Sequence, residues 1–279
     1  MAGLRSLRRY EVGQMLGEGS FATVTRVVRR SDGEAFALKE IFKDETDAAE
    51  AEKECELLLA AGSHEHLVSL VDAFELPKAY ALVLELAPGG EVFERLVERG
   101  PYSELDAAAV VRQVGLALKH IHERGLVHRD LKPENLLHVS PAAGSAVKVA
   151  DFGLASVAGE PVADARGQIG GTVMYMAPEL LDRSALGAAA PPLDMWSLGV
   201  ILFIMLSGYQ PFDAHGGSTD ETISERIVDG EWGFDDFPQR WAGVSGGAKA
   251  LVRGLLAPSA AERTGSDALL GSAWVTGAA

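Results

Sequence analysis

Short apolar runs dominate the first third of the chain, and longer helical patterns take over afterwards. Residues 24–28, 35–41, 67–74 and 80–86 are brief, rich in β-branched or aromatic side chains and separated by turn residues, which predicts strands. A helical segment interrupts them over about residues 47–60, with Cys55, Leu58 and Leu59 on a shared apolar face. After Pro88-Gly89-Gly90 the period lengthens. Residues 103–124 predict one helix, opened by Ser103-x-x-Asp106 in capping-box form, and residues 192–206 predict a second. The most apolar stretch, residues 198–206, is far shorter than a bilayer span and reads as a buried core helix. The pattern implies a small β-rich lobe over residues 10–84, a hinge at about 85–90 and a larger helical lobe over 91–274, with short tails at 1–9 and 275–279.

Composition narrows the partners. The 279 residues carry 25 Lys and Arg against 40 Asp and Glu, and the formal charge of −15 argues against a nucleic-acid partner held through phosphates. One cysteine, Cys55, excludes an internal disulfide framework and a cysteine-based metal cluster, which favours a reducing compartment. Arg5, Arg8 and Arg9 have no apolar run behind them, so no secretory signal is expected. Ala2 separates Met1 from Gly3, so the myristoylation pattern is missing. A cytoplasmic protein, open to the nucleus as well and without a membrane partner, is expected.

Four segments carry chemistry. Leu16-Gly17-Glu18-Gly19-Ser20-Phe21-Ala22-Thr23-Val24 lies between two predicted strands. Glycines there let backbone N–H groups approach phosphates, although a Gly-x-Gly turn is also an ordinary hairpin device. Lys39 follows within an apolar strand pattern, where an ammonium needs a partner: an anionic ligand under the loop, or Glu54 on the next helix. His128-Arg129-Asp130-Leu131-Lys132-Pro133-Glu134-Asn135 is a dense polar run, and Asp151-Phe152-Gly153 follows an apolar strand. Asp130 could accept a hydroxyl proton and Lys132 could hold a phosphoryl group, while Asn135 and Asp151 are oxygen ligands suited to Mg²⁺.

In this order, and joined by Ala177-Pro178-Glu179 and Asp194-x-Trp196-Ser197-x-Gly199, these segments resemble a eukaryotic protein kinase catalytic domain over about residues 10–274. The resemblance implies an α+β, bilobal fold with an antiparallel small-lobe sheet, one main small-lobe helix and a mainly helical large lobe. It also implies binding of ATP and Mg²⁺. Residues Leu16, Gly17, Glu18, Gly19, Ser20, Phe21, Ala22, Thr23 and Val24 would cover the nucleotide, and Lys39, paired with Glu54, would contact the α/β-phosphates. Leu84 would be the gatekeeper, and the backbones of Glu85 and Ala87 would hydrogen-bond adenine, packed among Leu16, Val24, Ala37 and Leu137. Asp130 would be the base, Lys132 the γ-phosphate contact, and Asn135 and Asp151 the metal ligands. Leu58, Leu70, His128 and Phe152 would stack as an apolar column, and Glu179 would pair with Arg263.

Other pieces resemble the calcium/calmodulin-dependent group, among them Gly89-Gly90-Glu91-Val92-Phe93 and Gly171-Thr172-Val173. Lys132 and Thr172 mark serine/threonine specificity. Glu91 and Glu134 stand where basophilic relatives read an upstream arginine, whereas Ile204 replaces a further acid. Residues 85–106, with six acids against two arginines, border that groove, so the expected partner is a protein substrate basic near its target hydroxyl, bound by a monomer.

Two departures change the picture. Ala22 replaces the third glycine of the loop, a minor change. Between Asp151 and Thr172 the only other hydroxyl is Ser156, and Gln168 stands where many kinases carry a phosphorylated residue. Activation without segment phosphorylation is therefore expected, with Asp164 or Gln168 as weak stand-ins for phosphate. No Asp-x-Asp-x-Asp-Gly loop is present, so the sequence reads as a constitutive kinase or a fragment of a longer chain. The rival from another class is a pseudokinase scaffold, which degraded Lys39, Asp130 or Asp151 positions would have favoured.

Overall fold

The computed structural model describes residues 7–19, 21–44, 46, 48–163, 169–182 and 187–277. Strands β1 (Tyr10–Glu18), β2 (Ala22–Arg29) and β3 (Ala35–Phe42), helix α1 (Ala48–Ala61), and strands β4 (Leu70–Glu75) and β5 (Ala79–Glu85) build the small lobe. Its antiparallel five-stranded sheet has the order β1-β2-β3-β5-β4. Period-two alternation sorts the central strand: Phe36 and Leu38 enter a small core with Tyr10, Val27, Phe74, Ala81 and Val83. Ala37 and Lys39 therefore face the other way. In register, Ala37 lies opposite Leu84 and Lys39 opposite Val24 and Leu82.

Two expectations need correction. In α1 the buried stripe is Ala51, Glu54, Leu57, Leu58 and Ala61, spaced by three, three, one and three. Leu59 is 66% exposed and does not share it, although half-buried Cys55 packs against the core. The strand expected from residue 67 begins only at Leu70. Residues 66–68 instead bond to the large lobe: the Val68 N–H donates to Val149 O and the Val149 N–H to His66 O, both at 2.9 Å.

The large lobe contains α2 (Val92–Arg99), α3 (Glu104–His122), β6 (Leu126–Val127), β7 (Leu136–His138), β8 (Val147–Val149), β9 (Ser156–Val157), α4 (Pro178–Leu181), α5 (Pro192–Ser207), α6 (Asp220–Asp229), α7 (Pro238–Trp241), α8 (Gly246–Leu255), α9 (Ser266–Gly271) and α10 (Ala273–Thr276). Strands β7 and β8 form one two-stranded ladder, and β6 and β9 another. Ser103 caps α3, accepting from the Asp106 N–H and donating its hydroxyl to the Asp106 carboxylate. Helix α5 is buried from Leu193 to Ser207, as its unbroken apolar run requires. A Cβ at Gly199 would stand 2.8 Å from Leu255 Cβ, so glycine lets α8 approach that closely. Trp241 and Trp232 pack on Phe203 of α5. Among the described residues no helix is long and apolar enough to cross a membrane.

Arg263 anchors this lobe. Its guanidinium, fully buried, donates to both carboxylate oxygens of Glu179 at 2.7 and 2.8 Å. Arg263→Met strands Glu179 and is expected to cost about 3–5 kcal/mol of unfolding free energy. Urea unfolding measures this through a lower midpoint.

Candidate active site

The glycine loop joins β1 to β2. Gly17 lies opposite Val24 in register, Glu18 opposite Thr23, and the Gly19 N–H donates to Ala22 O at 2.8 Å to close the turn. A Cβ at Gly17 would meet nothing within 4 Å, and Phe21 is exposed, so the loop borders open space. Ser20 lies outside the described residues.

Beneath it, Lys39 spans two carboxylates. Its Nζ lies 2.7 Å from Glu54 Oε1 and 2.7 Å from Asp151 Oδ1. Burial alone would lower the ammonium's pKa, but Glu54 and Asp151 together push it up to about 12. Burial also opposes ionisation of Asp151, yet Lys39 outweighs it and holds that carboxyl below its ordinary value. Burial pushes the Glu54 carboxyl up, with Lys39 opposing. Glu54→Gln removes one of the charges that raise Lys39, so its neutral amine fraction grows. Amine acylation at pH 9, followed by mass spectrometry, should label Lys39 faster in that variant than in the wild type.

The loop of residues 128–135, expected to be the catalytic loop, forms the second cluster. Asp130, 9% exposed, accepts from Lys132 Nζ at 2.8 Å and from Asn135 Nδ2 at 3.1 Å. Asn135 Nδ2 also donates to Asp130 O at 2.7 Å, so its amide oxygen is directed away from these bonds. Asp130 and Thr172 line one narrow cleft with Arg129 and Tyr175. Arg129 and Asp151 adopt left-handed backbones, with φ of 66° and 65°. Such conformations cost about 1–3 kcal/mol each and cluster where side-chain direction matters.

The buried Asp194 of α5 holds the left-handed backbone at Arg129, a role that sequence reasoning did not assign. It accepts from the backbone N–H groups of His128 (2.9 Å) and Arg129 (2.8 Å) and from His122 Nε2 (2.8 Å). His128 donates from Nε2 to Ala150 O at 3.0 Å and meets Phe152 edge-on, with ring centroids 5.3 Å apart. Leu58 is buried like these two rings, and Leu70 is half-buried against the same core.

The hinge adds a refinement. The Glu85 N–H is already donated to Ser69 O at 2.9 Å, so an adenine contact at Glu85 would use its carbonyl. Its carboxylate pairs with Lys148 Nζ at 3.0 Å, a contact the sequence did not signal. Leu16 is exposed, while Val24, Ala37, Leu84, Ala87 and Leu137 are half-buried. At the groove, burial and the charges of Glu94 and Glu134 push the Glu91 carboxyl up. Among the described residues no group of three or more His, Cys, Asp or Glu side chains is arranged to hold a metal alone. Mg²⁺ commonly takes one or two protein oxygens and completes its shell with phosphates and water. Asp151 and the Asn135 amide oxygen fit that requirement.

A family model of the protein kinase domain matches residues 10–275. The chain belongs to this family. It is 40% identical over 270 residues to calcium/calmodulin-dependent protein kinase type IV of Homo sapiens, covering 97% of this chain and 55% of that protein. It is 38% identical over 269 residues to calcium/calmodulin-dependent protein kinase type 1B of Homo sapiens, covering 96% and 75%. Calcium-dependent protein kinase 24 of Arabidopsis thaliana is 38% identical over 274 residues, covering 97% and 45%. The kinase domain thus spans about half the length of the type IV relative. The resemblance to the calcium/calmodulin-dependent group, read from the motifs, is the one these relatives show.

Proposed function

We propose that this kinase domain transfers the γ-phosphoryl group of ATP to serine or threonine hydroxyls of protein substrates that carry arginine upstream of the target. The observation that carries the reading is Lys39 bridging Glu54 and Asp151 at 2.7 Å each, beside an assembled Asp130–Lys132–Asn135 cluster. A scaffold has no need of an ammonium held between buried Glu54 and half-buried Asp151. In this reading Lys39 binds the α/β-phosphates, the loop of Gly17 and Gly19 covers them, and Lys132 faces the transferring group. Asp130 orients the substrate hydroxyl and accepts its proton, while Thr172 borders the same cleft. Asn135 and Asp151 would hold Mg²⁺, which when bound neutralises phosphate charge.

Specificity rests on the other carboxylates. Glu91 and exposed Glu134 sense each other electrostatically, and a guanidinium between them relieves that repulsion and gains charged hydrogen bonds. Ile204 is buried in α5 and offers nothing to a second arginine. Glu91→Gln with Glu134→Gln is expected to lower kcat/KM for an Arg-x-x-Ser peptide about tenfold. The same change should leave an Ala-x-x-Ser peptide nearly unaffected. Equal losses on both peptides would remove the pair from substrate reading.

A further inference from the structure

The segment after Asp151 holds a carboxylate paired with a cation of α1. Glu160 Oε2 lies 2.8 Å from Lys53 Nζ, on α1. The same carboxylate interacts electrostatically with the guanidinium of Arg129, next to Asp130. The backbone of residues 158–160 is tied down by hydrogen bonds to Ala189 and Gly125. The Ala189 N–H donates to Glu160 O and the Gly159 N–H to Ala189 O, both at 2.8 Å, while the Ala158 N–H donates to Gly125 O at 2.7 Å. Arg129 reaches the same stretch through an Nη2 hydrogen bond to Val162 O. Its buried Nε has no hydrogen-bond partner among the described residues.

Lys53 immediately precedes Glu54, the partner of Lys39. A charge that holds Lys53 therefore also sets the position of α1, and with it the Lys39–Glu54 pair. Phosphate is poorly placed to do this work here. Ser156 is fully buried and Thr172 borders the Asp130 cleft, and residues 151–172 contain no other hydroxyl. Asp164 and Gln168, the stand-ins named from the sequence, lie outside the described residues.

We propose that Glu160 is a positioning residue: its carboxylate, paired with Lys53 of α1 on a stretch that Arg129 also holds through Val162, keeps α1 seated and the Lys39–Glu54 pair assembled without phosphorylation. The inference rests on the kinase reading above. Lys53 and Glu160 are 48% and 39% exposed, so their pair adds little to global stability and acts on the seating of one helix.

The test is a double-mutant cycle of Glu160→Gln, Lys53→Met and the pair, on protein shown by mass spectrometry to carry no phosphate. Glu160→Gln should lower kcat about three- to fivefold with peptide KM unchanged. It should also speed acylation of Lys39 at pH 9 and leave the melting temperature at the wild-type value. Adding Lys53→Met should bring no further loss, because both changes break one contact. Unchanged kcat and unchanged Lys39 labelling in Glu160→Gln, or losses that add in the double variant, would overturn the proposal. So would a segment phosphate whose removal abolishes turnover. A wild-type protein that transfers no phosphate would defeat the kinase reading instead, and Lys39 labelling across the cycle would still decide the role of Glu160.

Discussion

Asp130→Ala is expected to lower phosphate transfer about 10²- to 10⁴-fold, the range general-base removal commonly costs, while nucleotide affinity stays near the wild-type value. The two halves of this expectation come from separate clusters. Asp130 accepts from Lys132 and Asn135 and borders the Thr172 cleft, whereas Lys39, the proposed phosphate contact, is held by Glu54 and Asp151. Removing Asp130 leaves Lys132, half-exposed, free to be solvated, so the fold survives. Steady-state kinetics and titration with a fluorescent ATP analogue measure the two effects. A variant that keeps its rate, or one that loses nucleotide binding equally, would remove Asp130 from the chemical step.

The largest expected effect on stability belongs to Asp194. Asp194→Ala deprives the buried N–H groups of His128 and Arg129, and His122 Nε2, of one shared acceptor. Unfolding free energy should fall by about 3–5 kcal/mol, and the melting temperature by on the order of 10 °C for a domain of this size. The pH dependence has a definite sign. Burial alone would raise the Asp194 carboxyl, but hydrogen bonds and charge from His122 and the His128 region hold it below its ordinary value of 3.8. A depressed folded value gives stability that is fully present above the ordinary value and is lost as pH falls through the folded one. The gap in melting temperature between wild type and variant should therefore hold from neutral pH down to about 4 and narrow below that. Calorimetry at a series of pH values reads this directly. A gap that widens in acid would contradict the assignment.

What could be read from the chain and what could not divide along a physical line. Lys39 was legible because an ammonium in an apolar strand requires a partner, and Glu54 lay within reach on the next helix. The existence of the small-lobe strands followed from short β-branched and aromatic runs between turn residues, a local signal, whereas the sheet order β1-β2-β3-β5-β4 was not read from the chain. The start of β4 was not legible, because residues 66–68 find their hydrogen bonds in β8, some eighty residues later. Leu59 was misplaced for a similar reason: which stripe of α1 turns inward depends on the surface that receives it, and Leu57 and Leu58 fill that surface. Asp194 was visible as part of a motif, but its work at His128 and Arg129 spans more than sixty residues. Lys53 and Glu160 gave no signal at all, being ordinary surface residue types until the fold brings them to 2.8 Å.

The most direct test of the account supplies the purified chain with Mg²⁺, γ-labelled ATP and an oriented library of serine and threonine peptides, with Asp130→Ala as control. The account predicts label on serine or threonine, selected for arginine upstream, and none above background with the control. Nucleotide binding by the wild type without label on any peptide would contradict it and leave a kinase fold serving as a scaffold.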